Sequence, residues 1–369
     1  MTKVPFVEFS QIPEQTKDAW KQSASEVIDT GYFVGGQKVS QFEKEWAKAI
    51  GVDFAVGVGN GLDGLVIALK AVGVVKGDLV AVPSHTFIAT WNAVLLIGAT
   101  PVGIDVDRFG LMNLDELESF PKELKAVIPV HMHGMMVDMR RLQFWARENR
   151  VQVIEDASQA HLAKLAGKYA GNWSDIGVFS LYPSKNLGAL GDAGVTTTNS
   201  PQYADAIRSY ANYGASTHDK YLHESFGVNS RLDSMQAAFL SINLTNLSEW
   251  NDRRQALAVL YMNHLEASKN LRLLNSGEVD SVWHHFPVLT HERDLIQEEL
   301  RKAEIQTEIH YPNLAALEYQ RITNGEQLSF PVGEELANTI LSLPISPWHT
   351  DDQILYVCKE LNRITKSIF

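Results

Sequence analysis

Val151-Gln152-Val153-Ile154-Glu155-Asp156-Ala157-Ser158-Gln159-Ala160-His161 runs from apolar residues into two carboxylates and then into small polar residues. An apolar run about five residues long reads as a strand covered on both faces, and the polar residues after it as a loop at its carboxyl end. Comparable runs occur at 54–58, 79–82, 101–104, 126–130, 176–180 and 195–198. Between several of them, at 62–72, 88–97 and 139–148, the apolar spacing becomes helical. Strand, helix, strand repeated in this way predicts an α/β fold with a mostly parallel, doubly wound sheet.

Upstream of the first strand, Trp20, Ala24, Val27 and Ile28 recur at helical spacing. Downstream the rhythm changes at Asp233, where a helical stretch runs to about residue 269. The division expected is a large unit over 1–235, a connecting helix over 236–270 and a smaller α+β unit over 271–369. In the last, strands are expected at 282–289 and 307–310, and helices at 294–303, 332–341 and 351–367.

With 45% hydrophobic and 21% charged residues, the 369-residue chain has the composition of a folded protein. Its net charge of -12 argues against a nucleic-acid partner. Cys358 is the single cysteine, which excludes intrachain disulfides and cysteine-built zinc sites and fits a reducing cytoplasm. No run of about 18 apolar residues predicts a membrane span, and the first residues lack a signal-peptide pattern.

In an open α/β sheet, ligands bind beyond the carboxyl ends of the strands, so Asp156, Ser180 and Lys185 are candidates to converge. Singly, each has an ordinary reading as a cap, a loop hydroxyl or a solvated amine. Together they offer an amine that can form an imine, a carboxylate that can hold a ring nitrogen protonated and a hydroxyl for a phosphate, a set that suits pyridoxal 5'-phosphate. Lys185 precedes the apolar, glycine-rich Leu187-Gly188-Ala189-Leu190-Gly191, where desolvation would lower its pKa. Gly59-Asn60-Gly61 opens a helix whose first amides could cradle a phosphate. Gly59, Gly61 and Gly64 also satisfy a dinucleotide-binding spacing, so an NAD-dependent dehydrogenase is the rival class. It lacks the acidic residue for the ribose, because the second strand ends in Val82-Pro83-Ser84.

Over nearly its whole length the chain resembles the DegT/DnrJ/EryC1/StrS sugar aminotransferases. The matching motifs are Gly59-Asn60-Gly61, Pro83-Ser84-His85-Thr86-Phe87-Ile88-Ala89-Thr90, Glu155-Asp156 with Gln159-Ala160-His161, Ser180-Leu181-Tyr182-Pro183-Ser184-Lys185-Asn186-Leu187-Gly188 and Asn229-Ser230-Arg231-Leu232-Asp233. The resemblance implies an aspartate-aminotransferase-like, fold type I architecture, with a seven-stranded, mostly parallel sheet and a smaller C-terminal α+β domain. It implies that Lys185 carries pyridoxal 5'-phosphate covalently, Asp156 pairs with the ring nitrogen, Gln159 meets the ring hydroxyl and Phe87 stacks on the ring. Ser180 and the amides around Asn60 and Gly61 would hold the phosphate, and Asn229 would reach the phosphate of a second subunit, making the active unit a homodimer.

The Lys185 and Thr90-Trp91-Asn92 surroundings are similar to members that aminate C3 of a dTDP-linked 3-keto-6-deoxyhexose with L-glutamate as donor, in ping-pong order. Amination at C4 of a related keto sugar is the alternative. Lys185 also argues against the subfamily of dehydratases that carries histidine there. Leu162 stands where the family has glycine, which alters packing behind the cofactor, and residues 313–317 lack the expected prolines and histidine, leaving sugar contacts there open.

His161, Arg231, His310 and Tyr311 are candidates to meet the substrate, and Lys38, Lys220 and Arg231 to meet its diphosphate. His131 and His133 would share a face if they lay on a strand and could then bind a metal, but no third ligand is evident. Trp91, Trp173 and Trp250 read as packing residues.

Overall fold

A computed structural model describes residues 3–120, 123–216, 219, 221–266, 268, 270–323 and 328–368. Seven strands form the central sheet: β1 (Phe54–Val58), β2 (Leu79–Pro83), β3 (Thr100–Ile104), β4 (Ala126–Val127), β5 (Gln152–Asp156), β8 (Ile176–Ser180) and β9 (Gly194–Thr198). Their order is β1-β9-β8-β5-β4-β2-β3. β9 runs antiparallel to both neighbours, and all the other pairings are parallel. Between β5 and β8, β6 (Lys164–Leu165) and β7 (Lys168–Tyr169) make a short hairpin.

Alternate strand residues feed two cores, as a sheet covered on both faces requires. Val153 and Phe179 join one with Phe42 and Trp46 of α2 (Gly36–Ile50), and Ile154 and Val178 join the other with Leu65 of α3 (Gly61–Ala71) and Trp91 of α4 (Ile88–Leu96). Before α2, α1 (Glu14–Thr30) packs on α8 (Ser234–His264). The remaining helices of the sheet region are α5 (Leu114–Ser119), α6 (Met139–Asn149) and α7 (Pro201–Ala211).

A third core gathers Leu257 and Tyr261 of α8 with α9 (Arg293–Lys302), α12 (Asp351–Ile368) and a small antiparallel sheet, β10 (Arg272–Leu273), β11 (Phe286–Leu289) and β12 (Ile340–Leu343). Two further helices are α10 (Ala315–Thr323) and α11 (Pro331–Thr339).

Several expectations change at element ends. The run at 126–130 leaves the strand after Val127, because Pro129 has no N–H for the ladder, and only Val130 regains one bridge, to Asp156. The helix expected at 332–341 stops at Thr339, and Ile340 enters β12 without a loop. Residues 307–310 form one bridge, Glu308 to Ser342, and no strand. β11 starts only at Phe286, because residues 281–284 bond instead to the segment after β4: Met135 bridges Ser281, and the His284 N–H donates to the His133 carbonyl at 3.2 Å. α8 closes at His264, short of residue 269, which lies outside the described residues.

Candidate active site

The carboxyl ends of β1, β5 and β8 open on a cavity of about 410 Å³, which is walled on its far side by residues 284–285 and 310–311. Nine of the residues singled out from sequence line it: Asn60, Gly61, Phe87, Asp156, Gln159, Ser180, Lys185, His310 and Tyr311.

Asn60 caps α3, its Oδ1 accepting from the Asp63 N–H at 2.9 Å and its carbonyl from the Gly64 N–H, which leaves the Gly61 and Leu62 amides without a partner among the described residues. Gly61 lets this helix end approach β8, since a Cβ there would lie 2.9 Å from the Ser180 Cβ. The helix N-terminus and the Ser180 hydroxyl thus meet at the cavity, a donor set that suits a phosphate.

Asp156 ends β5 and is 6% exposed. Its carboxylate accepts from the Thr90 hydroxyl at 2.9 Å and from the Ser158 N–H at 3.2 Å. Those donors aim the carboxylate into the cavity it lines. Gln159 is fixed at both ends, its Oε1 accepting from the His133 N–H at 2.7 Å and its Nε2 donating to the Tyr311 hydroxyl at 3.3 Å. Phe87 remains half exposed at the mouth, 5.5 Å from the Tyr311 ring.

Lys185 lies in the loop after β8. Its N–H donates to the Tyr182 carbonyl at 2.8 Å, and Gly188 permits the fold-back because a Cβ there would meet the Pro183 carbonyl oxygen at 2.4 Å. Burial lowers the amine from its ordinary range to about 8, against the pull of Asp156, which raises it. An appreciable neutral fraction therefore exists near neutral pH. His310 is kept neutral: burial first, then Lys185, lowers it to about 3. The depressed lysine, the fixed carboxylate and the open cradle together fit pyridoxal phosphate.

Three candidates do not line the cavity. His161 is fully buried behind it, its Nε2–H donating to the Ser180 carbonyl at 3.0 Å and its ring packed on Trp46 and Phe179. It supports Ser180 from behind. Arg231 is exposed, donates to Asn212 Oδ1 at 3.1 Å and lies over the Tyr213 ring. Asn229 is exposed and bridged to Asn212. Of the other cations, Lys38 pairs with Glu26 at 2.8 Å, and Lys220 lies outside the described residues.

His131 and His133 do not share a strand face, because they sit at a 3-10 turn beyond β4. His131 donates to Glu155 at 2.9 Å, both fully buried, whereas the ring of His133 meets that of His285. Trp91 is packed and donates to the Pro83 carbonyl at 2.9 Å. His284 and His285 also line the cavity and were missed, although two histidines opening an apolar strand were visible. The part Thr90 plays in holding Asp156 was missed too, since contact across 66 residues leaves no local pattern.

Known proteins share this arrangement of chain. A profile of the DegT/DnrJ/EryC1/StrS aminotransferase family matches residues 14–362. The dTDP-3-amino-3,4,6-trideoxy-alpha-D-glucose transaminase of Streptomyces venezuelae is 38% identical over 96% of this chain and 94% of its own. The dTDP-3-amino-3,6-dideoxy-alpha-D-galactopyranose transaminase of Aneurinibacillus thermoaerophilus is 37% identical over 98% of this chain and 99% of its own. The crystal structure of S. venezuelae DesV in complex with a ketimine intermediate superposes with a TM-score of 0.95 at 37% identity, covering 99% of both chains. With a family profile spanning almost all of its length and relatives above one-third identity end to end, the chain belongs to the DegT/DnrJ/EryC1/StrS aminotransferase family and is a pyridoxal-phosphate-dependent transaminase.

Proposed function

We propose that the protein transfers the amino group of L-glutamate to C3 of a dTDP-linked 3-keto-6-deoxyhexose, giving the dTDP-3-amino-3,6-dideoxyhexose. The observation that carries the site assignment is the convergence of Lys185, Asp156, Gln159 and the Asn60–Gly61–Ser180 cradle on one cavity. The relatives support the sugar: two that match this chain over more than nine-tenths of their lengths are transaminases of dTDP-3-amino sugars.

The bound cofactor supplies an electron-accepting ring, and the chain's own residues supply the rest. Lys185, with its pKa near 8, would hold the cofactor's aldehyde through its neutral amine, and the same amine would move a proton from the donor's α-carbon and return one to the sugar carbon. Asp156, held by Thr90 and Ser158, would keep the cofactor's ring nitrogen cationic. The first-turn amides of α3 and the Ser180 hydroxyl would hold the phosphate, and Phe87 and Gln159, which line the same cavity, would meet the ring and its hydroxyl. 2-Oxoglutarate leaves before the sugar enters, so the kinetics are ping-pong.

The active unit is a homodimer. Phe226 is 97% exposed, and Leu222, Val228, Tyr32 and Phe33 are exposed as well, large apolar side chains of the kind that subunits cover. Asn229 is exposed in the same stretch and would reach a second subunit's phosphate. No helix among the described residues is long and apolar enough to cross a membrane, and with a single buried cysteine this supports a cytoplasmic enzyme.

Incubation with L-glutamate and either the 3-keto or the 4-keto dTDP-sugar, followed by NMR of the product, tests the reading. Amination at C3 is expected; preferential amination at C4 would replace it with the alternative.

A further inference from the structure

His284 and His285 line the cavity, are each 5% exposed and have ring centroids 4.1 Å apart. No step described above uses them. The hydrogen-bond partners of their inner nitrogens determine what their outer nitrogens offer.

Asn251 Nδ2 donates to the His161 carbonyl at 2.9 Å, which turns its Oδ1 toward Asn186. Asn186 Nδ2 donates to that Oδ1 and to the Val282 carbonyl, both at 2.9 Å. Asn186 Oδ1 therefore faces His284 Nδ1, 3.1 Å away, and that nitrogen carries the hydrogen. His284 Nε2 is left as a bare lone pair.

His285 Nδ1 lies 3.2 Å from His133 Nδ1, so only one of the two holds a hydrogen. His133 Nε2 is buried without a partner. A hydrogen there would strand a buried donor, the rarer defect, whereas a hydrogen on His133 Nδ1 strands only a lone pair. This assignment makes His285 Nδ1 the acceptor and places the His285 hydrogen on Nε2. His310 stacks on the ring at 3.8 Å and 13°, fixing its plane. Burial, followed by neighbouring groups, holds both imidazoles well below their ordinary pKa, so both stay neutral. Neither Nε2 has a partner among the described residues, and unlike His133 Nε2 neither is sealed away.

We propose that His284 and His285 form a paired reader of the keto sugar, His284 Nε2 accepting from one hydroxyl beside the reacting carbonyl and His285 Nε2–H donating to a neighbouring sugar oxygen. This rests on the nucleotide-sugar reading above. Neutral imidazoles of opposite tautomer suit a polyhydroxylated, uncharged ring, which offers donors and acceptors on adjacent carbons. They suit the carboxylates of L-glutamate less, because one of the two presents only a lone pair.

The test separates the two half-reactions of the holoenzyme: loss of cofactor colour on adding L-glutamate, and its return on adding the keto sugar. His285→Phe keeps the ring that stacks on His310 and removes the donor; His284→Phe removes the acceptor. Each is expected to reduce kcat/KM for the sugar half-reaction about 10- to 100-fold, and to do so at least tenfold more than for the glutamate half-reaction. On a sugar lacking the hydroxyl that His284 reads, His284→Phe is expected to cost nothing further. Unchanged sugar kinetics in both variants, or equal losses in both half-reactions, would overturn the pair while leaving the substrate reading intact. A wild-type enzyme that reacts with L-glutamate but with no nucleotide keto sugar would remove the substrate reading itself, and the pair with it.

Discussion

A lysine kept near pKa 8 inside a protein destabilises the fold it serves, and Lys185→Met should recover that free energy. In the unfolded chain the amine has a pKa near 10.5; in the folded protein burial lowers it to about 8. Because the folded value is depressed, the unfolded chain binds the proton more strongly, and stability rises with pH between the two values. At 1.36 kcal/mol per pH unit, ionisation of Lys185 costs the fold about 3 kcal/mol at pH 7, about 2 at pH 9 and under about 1 at pH 10. Methionine carries no charge and nearly the same chain length, so the cofactor-free variant should exceed cofactor-free wild type by about those amounts. Urea unfolding of both proteins at equal concentration, from pH 7 to pH 10, measures the gap. A variant no more stable than wild type at pH 7, or a gap that does not shrink as pH rises, would refute the reasoning. The same amine governs capture of the aldehyde, so the rate of cofactor uptake by wild type should climb as pH passes through about 8.

Thr90→Val deletes the hydroxyl that donates to Asp156 at 2.9 Å and should lower stability by about 1.5–3 kcal/mol, with faster loss of cofactor colour; unchanged unfolding would contradict the role given to this bond. Leu162 has φ +63, the left-handed region, at the position where glycine was expected. Leu162→Gly and Leu162→Ala lose the same packing, but only glycine relieves the backbone, so urea unfolding should show the glycine variant more stable by about 1–2 kcal/mol. Burial alone would raise the Glu155 pKa, but hydrogen bonds from His131, Gly171 and Ser174 hold it below its ordinary value, so its stabilisation is lost as pH falls. Glu155→Gln should cost about 3–5 kcal/mol at pH 7 and progressively less in acid, as read from thermal unfolding at several pH values.

The strands at 54–58 and 176–180 are legible to the residue because their burial on both faces leaves an unbroken apolar run. The apolar pattern also runs through 332–343, and there it conceals the change from α11 to β12, since buried helix and buried strand look alike over so few residues. Lys185, Asp156 and Ser180 are legible as a site because parallel strands bring their carboxyl ends to one edge. The histidine pair is not, because His133 and His285 meet only when the segment after β4 bonds to residues 281–284, a contact spanning some 150 residues. His161 is the opposite case. Its motif places it near the cofactor, yet its ring turns back into the core between Trp46 and Phe179.

The attachment of the cofactor to Lys185 is tested most directly by trapping it. Protein loaded with pyridoxal phosphate is reduced with borohydride, digested and examined by mass spectrometry. The cofactor's mass is expected on the peptide carrying Lys185, and it should be absent from Lys185→Met treated in the same way. Label on another lysine, or equal labelling of the methionine variant, would contradict the account.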